Sequence, residues 1–322
     1  MSCFMEWSDM SLLKKSRFHI LLNIALMAVF FITACSGTPT EEVIGTTEDL
    51  EVFKNGIGTL AFAAQPEAGD AYDIFMLGLP GGDVTRITED LSADISPTLP
   101  PEGGWLIFSS DRDGTYDLFK MLLPAGDPRP LTIIAADETE PRVSPDGKSI
   151  VYQTNAYGDF DIMTLDLETS TELRLTEMDS QETQANWSPD GGKIAFLSNQ
   201  DGDFEIFLMN SDGSKQTQLT HNDTYEASPV WSPSGEQIAF LSKRGSHFQM
   251  YQLDVMTGDE KQLTDLSATV HSPYWSPDGK YLAYIQEKST GSQINVLEME
   301  SGRSFLIADA FNKYAGLVWI NP

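Results

Sequence analysis

A ten-residue phrase that returns at a fixed interval restricts this chain more than any other feature. Trp187-Ser188-Pro189-Asp190-Gly191-Gly192-Lys193-Ile194-Ala195-Phe196 recurs as Trp231-Ser232-Pro233-Ser234-Gly235 with Ile238-Ala239-Phe240, then as Trp275-Ser276-Pro277-Asp278-Gly279 with Leu282-Ala283-Tyr284. Each step is 44 residues, and a third step lands on Trp319. Upstream, Val143-Ser144-Pro145-Asp146-Gly147 and Leu99-Pro100-Pro101-Glu102-Gly103 keep the step with the aromatic replaced. Two further columns hold six members each: Ile87, Leu131, Leu175, Leu219, Leu263, Ile307, and Ile74, Leu118, Ile162, Ile206, Met250, Ile294. A period this long belongs to a repeated supersecondary unit, and six members mean six units.

One unit reads as four short strands: Pro229 to Trp231, Ile238 to Ser242, Phe248 to Val255 and Glu260 to Thr264. Turn-rich pieces such as Ser232-Pro233-Ser234-Gly235 and Met256-Thr257-Gly258-Asp259 separate them. Pro at the second position and Gly at the fourth suit a type I turn, because Pro presets φ and Gly tolerates the backbone turn out of it. Four strands in this length make a propeller blade. The first unit, from Gly58, lacks a Pro-x-Trp strand ahead of it, while Gly316-Leu317-Val318-Trp319-Ile320-Asn321-Pro322 is that strand without a following blade. The expected fold is therefore all-β: a six-bladed β-propeller whose C-terminal strand completes blade 1, closing the ring and removing the edges an open array would expose.

The phrases Trp-Ser-Pro-Asp-Gly-x-x-Ile-Ala-Phe, Asp-x-x-Glu-Ile-Phe-x-Met and Gln-Leu-Thr resemble the repeat of TolB-type six-bladed propellers, over residues 57–322. That resemblance implies the fold; a shared fold does not by itself specify an activity. It also implies an α/β domain ahead of the propeller in TolB proper, for which the stretch between Cys35 and Gly58 is too short.

Residues 1–35 read as a lipoprotein export signal. Lys14, Lys15 and Arg17 form a basic region, and Phe18 to Ala34 is an apolar run interrupted by His19 and Asn23. Ile32-Thr33-Ala34-Cys35 resembles a lipobox, with Cys35 the lipid attachment site. An uncleaved anchor is the competing reading, and the run is at the short limit for one. Cys3 and Cys35 are the only cysteines, so a processed chain has no disulfide. Several acyl chains at about 0.8 kcal/mol per buried methylene would hold the protein on a membrane. Ser36 in place of Asp favours the outer membrane in a two-membrane host, and in a one-membrane host the anchor lies on the outer face of the plasma membrane. Residues 36–56 lack periodicity and read as a flexible tether.

A net charge of −28 argues against nucleic acid and against adsorption to anionic lipid, since both need a basic surface. In a propeller, the loops from second to third strands and from fourth strands to the next blade open on one face. On that face Asp94, Glu138, Glu182 and Glu226 fall 44 residues apart, each three residues before a Pro-x-Trp-type strand, with Val270 and Tyr314 in the last two blades. They are expected as a partial carboxylate ring at the channel mouth, a candidate calcium site or a cradle for a basic peptide. The alternative is that they belong to the repeat and cap backbone amides. Asp111, Asp113, Asp159, Asp201 and Asp203 share the face, as do Lys243 and Arg244, and the aromatics Tyr157, Tyr225, Phe311 and Tyr314. The Trp187, Trp231, Trp275, Trp319 column reads as inter-blade core, and the Asp73, Asp117, Asp161, Glu205 column as structural.

No zinc motif, nucleophile elbow, phosphate loop or cysteine cluster occurs, and His221, His247 and His271 fall in separate blades. The reading is a non-enzymatic, lipid-tethered, monomeric propeller that binds an envelope protein or peptide through its acidic loop face, with Tyr225, Tyr314 and His271 beside the ring. The alternatives are a polysaccharide-active propeller using His271 or His221 with carboxylates, with or without a metal, and an envelope scaffold with no small ligand.

Overall fold

The computed structural model describes residues 58–79 and 82–320. The residues read as export signal, lipid attachment site and tether lie outside the described residues. Within the described residues are 24 strands, β1 to β24 in chain order, grouped as six four-stranded antiparallel sheets with no helix.

Blade 4 shows how the sequence builds each unit. Its strands β12 (Glu182–Trp187), β13 (Lys193–Ser198), β14 (Glu205–Asn210) and β15 (Thr217–Gln218) pair in order from the axis outward. The Ser-Pro-Asp-Gly turn between β12 and β13 is bonded from within. Ser188 Oγ donates to Asp190 Oδ1 at 2.6 Å and accepts from Lys193 N at 2.9 Å, while Gly191 takes φ +69°. That left-handed conformation is why the column is glycine. The third strand's second residue then gives its amide to a threonine hydroxyl. Ile74, Leu118, Ile162, Ile206 and Met250 donate to Thr88, Thr132, Thr176, Thr220 and Thr264 at 2.8–3.0 Å. The fourth strand is short because this hydroxyl replaces the next rung of the ladder.

The innermost strands β4 (Asp94–Thr98), β8 (Glu138–Val143), β12, β16 (Glu226–Trp231) and β20 (Val270–Trp275) each start at the acidic column or its equivalent, earlier than the Pro-x-Trp pattern indicates. The reason is a bulge. Each strand's register shifts around a residue in the left-handed region: Ser96, Glu140, Gln184, Ser228 and Ser272 have φ of 51–53°. The bulge seats the following Pro, or Ala185 in blade 4, without requiring a ladder amide from it. Gly316, φ +53°, is the sixth member.

The tryptophans join neighbouring blades. Trp187 Nε1 donates to Arg142 O at 3.1 Å and Trp275 Nε1 to Val230 O at 3.3 Å. Trp231, Trp275 and Trp319 are buried. Closure is as expected: β24 (Lys313–Ile320) pairs with β1 (Gly58–Gln65), Thr59 facing Ile320 and Gln65 facing Lys313, so blade 1 reads β24, β1, β2 (Asp73–Leu79), β3 (Val84–Arg86). β24 also packs against β20 and β4, filling the gap between the first and last blades.

Ending the chain at Ala310 removes β24, uncovers β1 and strips Phe62 of Leu317 and Tyr314. The expected result is loss of cooperative thermal unfolding together with self-association, read by circular dichroism melting and light scattering. Replacing Trp275 by Phe, which removes one inter-blade hydrogen bond, should instead cost about 1 kcal/mol and leave a cooperative transition.

Candidate functional site

The strand directions fix two unlike faces. On one, here the entry face, the innermost strands begin, and the second-to-third-strand loops and the inter-blade loops open around the axis. On the other, the exit face, the innermost strands end in the Ser-Pro-Asp-Gly turns.

Asp94, Glu138, Glu182 and Glu226 stand first in β4, β8, β12 and β16 and are at most 1% exposed. They are buried beneath the entry face, each at the start of an innermost strand, the column expected as a partial ring at the channel mouth. The first third-strand residue of each preceding blade, Asp73, Asp117, Asp161 or Glu205, is also buried. Some of these acids carry a counter-ion: Arg86 Nη2 lies 2.6 Å from Asp73, Arg112 Nη2 3.1 Å from Asp94 and Arg174 Nη2 2.8 Å from Asp161. Others hold hydroxyls and amides. Ser198 Oγ donates to Glu182 Oε1 and Ser242 Oγ to Glu226 Oε1, both at 2.9 Å. The backbone amides of Ile134 and Asn222 donate to Asp117 Oδ1 at 3.2 Å and Glu205 Oε1 at 2.7 Å, anchoring the inter-blade loops above.

Burial sets their protonation. It pushes Glu138 up to about 7, with the nearby Asp117 and Glu172 charges adding to the effect. It also raises Glu226 well above the carboxylate range, with the nearby Glu205 carboxyl adding to the effect. Oε2 of Glu138, Glu182, Glu205 and Glu226 has no hydrogen-bond partner among the described residues.

The other named residues divide between core and surface. Tyr314 is buried against Phe62 and Phe311, at centroid distances of 5.4 and 5.5 Å, and its hydroxyl accepts from Phe311 N at 3.3 Å. Tyr225 stays 44% exposed while its ring packs edge-on against Phe204 and Phe248. His271 Nε2 lies 2.9 Å from Glu287 Oε1 and its Nδ1 3.1 Å from Ser272 Oγ. His221 and His247 are exposed, the latter 3.5 Å from Thr269 Oγ1. Among the described residues, no three His, Cys, Asp or Glu side chains converge in a group that could hold a metal ion.

Two groups escape the sequence reading. The first is the left-handed bulge column, whose side chains bond around the axis: Ser96 Oγ donates to Glu140 Oε1 at 2.9 Å, and Gln184 Oε1 accepts from Ser228 N at 2.6 Å. Its signal is the 44-residue step with Gly316 as one member. The second is a set of exposed aliphatic side chains in the entry-face loops, Leu91, Ile133 and Ile134, which join Tyr157 and Tyr225 there. They break no period and carry no motif.

The raised Glu138 pKa has a signed consequence. Below about pH 4.5 both folded and unfolded chains hold this proton. As pH rises towards 7 the unfolded chain releases it freely while the folded chain does not, so stability falls across that window. Glu138→Gln should remove about 2–3 kcal/mol of this pH dependence, making the variant the more stable protein at pH 8. Urea unfolding at pH 5 and pH 8 checks it. An unchanged slope would mean that Glu138 titrates normally.

Comparison with known proteins bears on the fold and the family. No curated protein sequence matches the chain. TolB from Acinetobacter baumannii is 21% identical with a TM-score of 0.72, over 81% of this chain and 66% of its own. A TolB of Agrobacterium tumefaciens, described as putative, is 18% identical with a TM-score of 0.63, over 81% and 98%. An oligogalacturonate lyase from Vibrio parahaemolyticus is 13% identical with a TM-score of 0.53, over 77% and 71%. Identities this low show a shared propeller and nothing of its use. The TolB β-propeller domain profile, however, matches residues 52–186 and 177–315, and the chain belongs to the TolB β-propeller domain family.

Proposed function

We propose that this protein is a non-enzymatic binding propeller of the bacterial cell envelope, tethered by a lipid on Cys35, that takes a protein or peptide partner on its entry face. One observation carries the reading. Of the eight large apolar side chains exposed among the described residues, five lie in entry-face loops on blades 1 to 4: Leu91, Ile133, Ile134, Tyr157 and Tyr225. Leu91 is fully exposed and Ile133 is 79% exposed. Isolated surface apolar residues need no explanation, but a set of them on one face, on loops fixed to a rigid ring, supports a docking surface.

The charge around them selects the partner. Asp90, Asp111, Asp113, Asp159, Asp201 and Asp223 are exposed on entry-face loops. Basic segments presenting apolar anchors match such a surface: the acidic rim steers their approach, and the anchors supply the binding energy. The buried carboxylate column supports this from below by holding the loops in place. Lipid attachment would keep the face within reach of envelope partners, with residues 36–56 setting the reach.

Two outcomes are expected. Immobilised protein from Ser36 to Pro322, exposed to envelope extract with calcium or with chelator, captures one dominant protein in both conditions. The Ile133→Asp, Ile134→Asp double variant retains less than a tenth of it at unchanged melting temperature, while Met256→Asp on the exit face retains all of it. Equal capture by the double variant contradicts the assignment of the face. Separately, cells fed an alkyne fatty acid label the full chain, and Cys35→Ser abolishes the label and releases the protein from membranes. Membrane retention without label would favour an uncleaved anchor.

A further inference from the structure

The exit end of the axis holds a cavity of ≈ 320 Å³ lined by the last residues of all six innermost strands. Its walls are the tryptophan column and the prolines of the Ser-Pro-Asp-Gly turns, together with Asn186 and Tyr274, just before tryptophans, and Arg142, just before Val143 in the same column. Arg142 sits in blade 3 and Tyr274 in blade 6, on opposite walls of a six-membered ring, and the guanidinium charge acts on the Tyr274 phenol. Both side chains therefore line the cavity, from opposite sides of the ring.

The polar groups of this cavity are mostly donors. Arg142 Nη2 is 3.3 Å from Glu140 Oε2 and its Nη1 donates to Pro141 O at 3.2 Å, which leaves other guanidinium N–H groups unused. Asn186 spends its oxygen on Trp231 N at 3.3 Å, so its amide donors are unspent. The indole N–H of Trp231, a residue 8% exposed, has no acceptor among the described residues, although Trp187 and Trp275 find one on the preceding blade. Arg142 is the one charged residue lining the cavity, and it is positive in a chain of net charge −28. A space at the small end of ligand-pocket size, walled by flat rings and lined by a guanidinium and further donors, is complementary to a flat apolar body ending in an acceptor.

We propose that the exit-face cavity is a binding site for a small planar carboxylate, its ring between the indoles and its carboxylate on Arg142, with the Tyr274 hydroxyl as a further donor. The site is independent of the entry face, and neither proposal depends on the other. Carboxylate recognition by a planar, permanently charged fork discriminates against a neutral isostere, because the amide cannot use the charge and brings donors where the site also donates.

The test monitors indole N–H resonances of the full chain in lipid nanodiscs during titration with naphthalene-2-carboxylate or naphthalene-2-carboxamide, with protein-free nanodiscs as the blank. The expected result is saturable movement of the Trp231 signal, identified by its loss in Trp231→Phe, with the carboxylate bound at least tenfold more tightly than the carboxamide. Arg142→Met should weaken the carboxylate at least tenfold and leave the carboxamide unchanged. Tyr274→Phe, which removes only a hydroxyl, should weaken the carboxylate severalfold and remains decisive if Arg142→Met does not fold. Absence of saturable shifts with the carboxylate, equal affinity for the two probes, or carboxylate binding unaffected in Arg142→Met or Tyr274→Phe would overturn the proposal.

Discussion

Everything in this molecule depends on the pairing of β24 with β1. Each blade buries its faces only against two neighbours, so an open row of six would leave two apolar faces and two sheet edges in water. By returning the last strand to the first sheet, the chain removes both, and Phe62, Phe75, Phe311 and Tyr314 pack together at the join. Cys3 and Cys35, both ahead of the propeller, are the only cysteines, so closure and blade packing supply what a covalent staple would. A closed ring also holds its loops at fixed separations, which is the property a binding face requires.

The same closure explains the buried acids. A blade joint must satisfy the backbone amides of the inter-blade loop beneath the surface, and a carboxylate at the start of each first and third strand can accept from them. Asp117 and Glu205 do so directly, bonding Ile134 N and Asn222 N. Where an arginine is within reach, as for Asp73, Asp94 and Asp161, the charge is paired; for Glu138 the joint favours the protonated acid. The column Asp94, Glu138, Glu182 and Glu226 is buried, with Asp94 on an arginine and Glu182 and Glu226 on serine hydroxyls, and the exposed aspartates of the loop tips carry the surface field.

Fold and blade count are legible in the sequence because the 44-residue step repeats steric requirements that no local context overrides. Gly191 must accept positive φ, and Trp187 and Trp275 must reach a carbonyl on the previous blade. The acidic column is legible as a column, but its burial is not, since spacing locates a residue along the strand without saying that a joint closes over it. Strand starts are displaced by three residues for a related reason: Pro229 looks like the beginning of a strand, whereas Ser228 forms a bulge that lets the strand run through it. Leu91, Ile133 and Ile134 leave no trace, because an exposed apolar residue in a loop has no period to keep. The cavity is hidden most completely. It forms only when six strand ends meet, and Arg142 and Tyr274, 132 positions apart, come to line one cavity through the ring alone.

The molecule that results has two chemically different ends on one rigid axis, an acidic face with apolar anchors and an aromatic cavity over an arginine. Its role in the cell turns on which end meets a partner there. Site-specific photo-crosslinking in living cells answers this most directly, with a benzophenone amino acid placed at Ile133 on the entry face or at Met256 on the exit face of the full-length chain. A discrete cross-linked protein is predicted from position 133 and none from position 256; a partner cross-linked from 256 alone, or equally from both, would contradict the assignment of the entry face.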